Sequence, residues 1–195
     1  LEALEKHSPN VSWICLINAD EEAGSFRSAA HLAQIAKECH AGFIVEPALP
    51  NGGLVVERHG SGQFMIDVVG RAAHSGRDFA NGVSAVNALA HSIVNVAALS
   101  DVSRQRIVNI GPLQGGDATN IVADHARAWG NIRFSNDSEG AQLSGAIAAI
   151  ASGDAQNLPR ITVEMALNRP PKPCTEHVSF LANVALAVGH DMGLQ

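Results

Sequence analysis

The sequence predicts two parts: a partial α/β layer and an inserted α+β module of ferredoxin-like, βαββαβ order. Three observations predict this. Two short apolar runs, VSWICLIN (11–18) and GFIVEP (42–47), flank a helical stretch and suit strands buried on both faces. From about Gly62 the patterning runs strand, helix, strand, strand, helix, strand. A stiff proline-rich segment, NRPPKP (168–173), then leads into one further helix. The first segment and the last helix therefore belong together, as residues 1–60 and 171–195, with residues 61–170 inserted between them.

Each element has its own signal. Residues 1–7 read as a helix end, stopped by SPN. After the first apolar run, Ser25 is a plausible N-cap for a helix to about Glu38. LVVERHG and GQFMIDVVG read as two strands joined near 60–62, the second alternating as a half-buried strand does. A loop, RAAHSGRDFANG, leads to a helix over 83–99 with Val86, Leu89, Ala90, Ile93, Val96 and Ala97 on one face. RIVNIGPLQGG and ARAWGNIRF read as strands, 139–150 as an Ala-rich helix, RITVEMAL as the closing strand and EHVSFLANVALAV as the last helix. The inserted sheet should have one face covered by helices and one open face.

Bulk properties narrow the partners. Of 195 residues, 46% are hydrophobic and 16% charged, a globular balance. The net charge is −6 with no basic cluster, which argues against nucleic acid, and aromatics too scarce for a base-stacking surface agree. No window is apolar for long enough to span a bilayer, so no membrane partner is expected. Cys15, Cys39 and Cys174 are odd in number and widely spaced, and read as thiols of a reducing, cytoplasmic compartment. The chain starts at Leu1, and the expectation is a piece of a longer protein.

Carboxylates mark the ends of both apolar runs. Asp20, Glu21 and Glu22 follow the first, and Glu46 closes the second. In open parallel sheets ligands gather outside the carboxyl ends of the strands. A divalent ion held by Glu22 would relieve the repulsion within the triplet and acidify a water that Glu21 faces. A free carboxylate could then take the proton. A solvated acidic loop is the plainer reading of the triplet alone, and Glu46 brings the two readings level.

Three more stretches can carry chemistry. In GRAAHSG (70–76), small residues leave the imidazole of His74 unobstructed, and it could donate to a developing oxyanion. On spacing alone an ordinary loop histidine is the simpler reading. The other histidines show no HExxH or i,i+4 pairing. In GGDATNIVADHA, Asn120 could bond a substrate carbonyl or cap its own turn. Arg133, inside NIRF, could grip a substrate carboxylate bidentately or pair with Asp137 or Glu139.

Taken in order, INADEEAGS, VEPALPNGG, GRAAHSG and GGDATNIVADHARAWGNIRF resemble the M20 metallopeptidases, most nearly their glutamate carboxypeptidase (carboxypeptidase G2-like) branch. The similarity runs over residues 11–169. The resemblance implies that residues 1–60 and 171–195 are part of a zinc-peptidase catalytic domain, and that 61–170 is the lid, or dimerisation, domain of a homodimer. It implies two zinc ions (Zn2+), with Glu22 a ligand of one, Glu46 a ligand of the other and Glu21 the general base. His74 matches the lid histidine that reaches into the partner subunit's site, Asn120 the lid asparagine that contacts substrate, and Arg133 the arginine that holds the substrate's terminal carboxylate. The implied activity is that of a carboxypeptidase releasing a C-terminal, acidic amino acid; an N-acyl amino acid deacylase of the same family is the alternative. A different class of alternative is a non-catalytic dimerisation module.

The pattern departs from the family in ways that matter. The His-x-Asp motif that supplies a zinc ligand and the bridging Asp does not occur, and the family's last His ligand has no counterpart. Two carboxylates cannot form a tight tetrahedral zinc site. The expectation is little bound metal and no catalysis by this chain alone. Asn131 stands where the family more often has Asp, and Ala123 where Pro is frequent.

Overall fold

The computed structural model describes residues 6, 10–22, 24–25, 27–46, 49, 52–154 and 156–193. It divides into two units, Leu1–Pro47 and Ala48–Gln195. The helix expected over 1–7 lies outside the described residues apart from Lys6.

Among its described residues the first unit lacks the two strands that its patterning predicts. Residues 11–18 and 42–46 form no strand and are largely exposed, Ile17 at 93% and Val45 at 98%. Both predicted strands are thus corrected. A strand exists only as part of a hydrogen-bonded ladder, and among the described residues neither run has a ladder partner. Helix α1 is Ala29–Ala36. Ser25 does not cap it: its φ of 55° lies in the left-handed region, and Ser28 occupies the N-cap position without a side-chain bond to the helix. Asp20 supplies the capping acceptor instead. Its Oδ2 accepts from the backbone N–H groups of Arg27 (2.9 Å) and Ser28 (3.1 Å), and its Oδ1 from the Ser28 hydroxyl (2.6 Å).

The second unit holds strands β1 (Gly60–Val69), β2 (Ala73–His74), β3 (Ile107–Gly115), β4 (Ile121–Val122), β5 (His125–Phe134) and β6 (Arg160–Arg169). Its helices are α2 (Ala85–Ala97), α3 (Asp137–Ala148) and α4 (Glu176–Asp191). The four long strands form an antiparallel sheet in the order β3-β5-β1-β6, and β2 and β4 pair separately. With α2 and α3 the long elements run β-α-β-β-α-β along the chain. The two strands expected around 60–62 are one: β1 begins at Gly60, and among the described residues of 54–59 only Arg58 makes a bridge, to Lys172.

Alternation decides which side of the sheet is dry. Phe64, Ile66 and Val68 of β1 and Ala126, Ala128, Ile132 and Phe134 of β5 are buried, together with Leu89 and Val96 of α2 and Leu143 and Ile147 of α3. Both helices therefore cover one face. Phe134 is 1% exposed, and its ring lies where glycines let the backbone come close. A Cβ at Gly60 would meet that ring at 2.1 Å, and one at Gly140 at 2.7 Å. The buried stripe of α2 is Ala85, Leu89, Ser92 and Val96, rotated from the predicted face, since Val86, Ala90 and Ala97 are exposed. Ser92 can be buried because its hydroxyl donates to the Ala88 carbonyl (3.1 Å). The apolar residues Phe180, Val184, Leu186 and Val188 of α4 are exposed.

The first turn of α3 carries an ion network. Glu139 is buried, and its carboxylate accepts from Arg104 Nη2 (2.5 Å), Arg106 Nε (2.7 Å) and Arg106 Nη2. The Arg106 hydrogen bonds, aided by Arg104, hold its acid below the ordinary 4.5. A lowered folded-state value means stabilisation that is complete above the unfolded-state range and lost as pH falls through the folded one. Glu139→Gln is expected to lower Tm at about pH 7 and to flatten the fall of Tm toward about pH 3. Thermal unfolding of both proteins across that range checks this.

Among the described residues no helix is long and apolar enough to cross a membrane. Cys15, Cys39 and Cys174 are free and exposed.

Candidate functional site

The acidic triplet separates into two roles. Asp20 is engaged by the start of α1, and its acid is lowered first by the Ser28 hydroxyl and then by the Arg27 N–H. Its neighbours Glu21 and Glu22 are exposed, and among the described residues their carboxylates have no hydrogen-bond partner. Two backbone bonds lie beside them, from Gly24 N–H to Glu21 O (2.8 Å) and from Ser25 N–H to Asp20 O (2.7 Å). Glu46 is likewise exposed. No group of three or more His, Cys, Asp or Glu side chains able to hold a metal occurs among the described residues. Glu22 and Glu46 therefore do not constitute a zinc site by themselves, since such a site needs at least three protein donors.

His74 and Asn120 come together in the second unit. The loop after β1 is pinned at each step. Gly70 N–H donates to Asp124 O (2.6 Å), Arg71 and Val83 exchange backbone bonds (2.9 Å each), and Arg71 Nε donates to Asn81 O (2.7 Å). Gly70 is the residue that permits this approach: a Cβ there would sit 2.0 Å from the Val83 carbonyl oxygen. In the β2–β4 ladder Ala73 faces Val122 and His74 faces Ile121, and Ser75 N–H continues it to Asn120 O (2.9 Å). The Ala73–Val122 pair of the ladder is buried, while His74 in it and Asn120 just past its end are exposed. His74 Nδ1 accepts from Gly76 N–H (3.1 Å), and its Nε2 has no partner among the described residues.

Arg133 lies elsewhere. It is half-buried on β5, opposite Ser61 of β1 and Ile107 of β3. The salt bridge weighed for it is not formed: Glu139 is taken by Arg104 and Arg106, and among the described residues Arg133 has no carboxylate partner. Its guanidinium only reaches the Ile132 carbonyl, at 3.5 Å. The β2–β4 ladder adjoins the His125 end of β5, so Arg133 stands roughly 26 Å farther along the strand, at ~3.3 Å per residue. Between the two ends the open face carries the Arg127–Asp67 ion pair (2.6 Å), with the Arg127 guanidinium 5.7 Å from the Trp129 ring centre. A shallow cleft of about 480 Å³ lies beside it, lined by Gln63, Gln114, Trp129 and Asn131 among others.

Two parts of this arrangement escape sequence reasoning. The β2–β4 ladder is two residues long on each side, too short for any periodicity. The Gly76 N–H is a backbone donor, which no residue type announces.

Comparison with known proteins places this geometry. The family described as "Peptidase dimerisation domain" (M20) matches residues 56–158. Among solved structures, aminopeptidase PepT from Bacillus cereus is similar with a TM-score of 0.74 and 23% identity, over 92% of this chain and 48% of that one. A tripeptidase from Staphylococcus aureus gives 0.61 and 24%, over 77% and 40%. An aminobenzoyl-glutamate utilization protein from Klebsiella pneumoniae gives 0.58 and 22%, over 75% and 38%. At these identities the likeness is one of fold, and the chain spans about half or less of each structure's length. No curated protein matches the chain. The matched segment takes in β1 to β5, α3, His74, Asn120 and Arg133 and amounts to more than half of the sequence, so the chain belongs to the M20 peptidase dimerisation domain family.

Proposed function

We propose that the chain is part of a metal-dependent hydrolase of peptide or amide bonds, an exo-acting carboxypeptidase that releases a C-terminal acidic amino acid. Residues 61–170 would be its ferredoxin-like lid and dimerisation domain, and 1–60 and 171–195 part of its catalytic domain. The observation that carries the reading is the exposed His74 of the β2–β4 ladder, with Asn120 one residue beyond the ladder's end, inside a segment matching a peptidase family. The names of the similar structures support the bond class, since two are peptidases. The third name refers to aminobenzoyl-glutamate, which supports an acidic amino acid on the leaving side. An inserted domain is supported by Arg58 and Lys172, whose reciprocal backbone bonds (2.9 Å each) join the way into β1 to the way out of β6.

In this reading Glu21 takes a proton from the attacking water as general base. His74 Nε2 donates to the oxyanion that forms, Asn120 holds the substrate carbonyl region, and Arg133 grips the terminal carboxylate bidentately. One chain cannot present both His74 and Arg133 to one small substrate, because Arg133 is too far along β5. A homodimer resolves this if His74 and Asn120 act on the partner's substrate. Two zinc ions belong to the proposal as well. Glu22 and Glu46 would give one donor each, and the described residues do not complete either site.

The test uses a longer protein that carries this chain and is supplied with zinc. Amino acid release from peptides and from N-acyl amino acids with acidic C-termini is the expected result, abolished by a chelator. Glu21→Gln is expected to lower kcat by about 10²–10⁴-fold with KM little changed. No release from any member of the panel overturns the reading, and release only from N-acyl amino acids turns it into a deacylase. For the chain by itself, the missing His-x-Asp motif favours association without chemistry. Sedimentation as a dimer with no turnover is the outcome expected of that second reading.

A further inference from the structure

We propose that the Gly76 backbone N–H fixes His74 as the Nε2–H tautomer, so that His74 meets a substrate only as a hydrogen-bond donor and Gly76 is its positioning residue. The inference rests on the role for His74 given above. A neutral imidazole has one nitrogen that donates and one that accepts. Nδ1 accepts from Gly76 N–H at 3.1 Å, so its lone pair is engaged and the proton sits on Nε2.

The turn leaves little freedom in this choice. Ser75 N–H goes to Asn120 O (2.9 Å), while Arg77 N–H (3.2 Å) and Asp78 N–H (2.9 Å) go to His74 O. Four successive amides are thus assigned, and the imidazole is the acceptor that serves the Gly76 N–H. The ring also lies directly against the glycine: a Cβ at 76 would be 3.6 Å from His74 Cε1 and 3.7 Å from Nδ1, ordinary contact distances. Gly76→Ala is therefore compatible with the bond, and Gly76→Pro removes its donor.

The tautomer matters because a developing oxyanion is stabilised by donors aimed at it. An Nδ1–H tautomer would turn a lone pair outward at Nε2 and repel the same charge. Setting the proton in advance, with a backbone N–H, is preorganisation.

The test is long-range ¹⁵N NMR of the imidazole rings in the 195-residue chain at about pH 8, where histidine is ordinarily neutral. The His74 signals are assigned by their loss in His74→Gln. The expected result is a protonated Nε2 and an unprotonated Nδ1. An Nδ1–H ring, or an even mixture, overturns the proposal. Gly76→Pro is expected to shift the ring toward a mixture, and Gly76→Ala to keep the single form. In the longer protein, Gly76→Pro is expected to lower kcat by up to about 10²-fold at unchanged KM, with Gly76→Ala near wild type. Equal kcat for the three also overturns it. The tautomer is read without substrate, so it separates this inference from the proposed activity, which His74→Gln tests directly.

Discussion

Mixing the His74→Ala and Arg133→Ala variants of a longer, active protein is expected to restore about a quarter of wild-type activity from two nearly inactive parents. Each variant alone should lose about 10²–10³-fold in kcat or in kcat/KM, the scale of one lost oxyanion donor or carboxylate clamp. The restoration follows from distance. His74 sits on the short ladder beside the His125 end of β5, and Arg133 near the other end. Roughly 26 Å separates those ends at ~3.3 Å per residue, more than an arginine and a histidine side chain can bridge through one small substrate. If Arg133 of one protomer works with His74 of its partner, a mixed dimer has one site with both residues intact and one with neither. Random reassortment makes about half of the dimers mixed, hence the quarter. Activity is measured after unfolding and refolding the variants together, against each refolded alone. No recovery, with mixed dimers shown by differential tagging, would place both residues in one chain's site and sink the shared-site arrangement.

The largest effect on stability is expected at Phe134. Phe134→Ala should cost about 3–5 kcal/mol, by urea unfolding of the chain, because a fully buried ring is removed from a packed core. The cavity cannot close easily. The ring's neighbours include the backbone of Gly60 and Gly140, which are held by the β1–β5 ladder and by α3. A second arm makes the argument specific. Gly60→Ala alone pushes a methyl into the ring, where an ideal Cβ would stand 2.1 Å from it, and is expected to be strongly destabilising. In the Phe134→Ala background that methyl enters vacated space, so the double variant should be more stable than the sum of the two losses allows. Simple additivity would mean that Gly60 is constrained by something other than this ring.

How much of this was legible in the sequence depends on which force sets each feature. The β-α-β-β-α-β run was readable because Phe64, Ile66 and Val68 alternate in β1 and because Leu89 and Val96 recur at helical spacing. Periodicity reports burial, and burial is what those elements achieve. The apolar runs at 11–18 and 42–46 carry the same kind of signal, yet they form no strand among the described residues. Hydrophobic pattern states what a segment would bury; a ladder also requires a neighbour. Ser25 looked like a cap because its residue type fits. The acceptor came from Asp20, brought to α1 by a turn whose left-handed backbone at Ser25 local propensity does not foresee. In the sequence His74 and Asn120 stand out only as separate loop residues. Their juxtaposition depends on a two-residue ladder and on close approach at Gly70, which only three-dimensional packing reveals.

The handshake of Arg58 with Lys172 has a genetic corollary. A segment whose two termini lie side by side can be excised or grafted without stretching the polypeptide left behind. The chain enters and leaves this stretch at one stem, so a splice that rejoins Arg58 to Lys172 would have only neighbouring backbone to bridge.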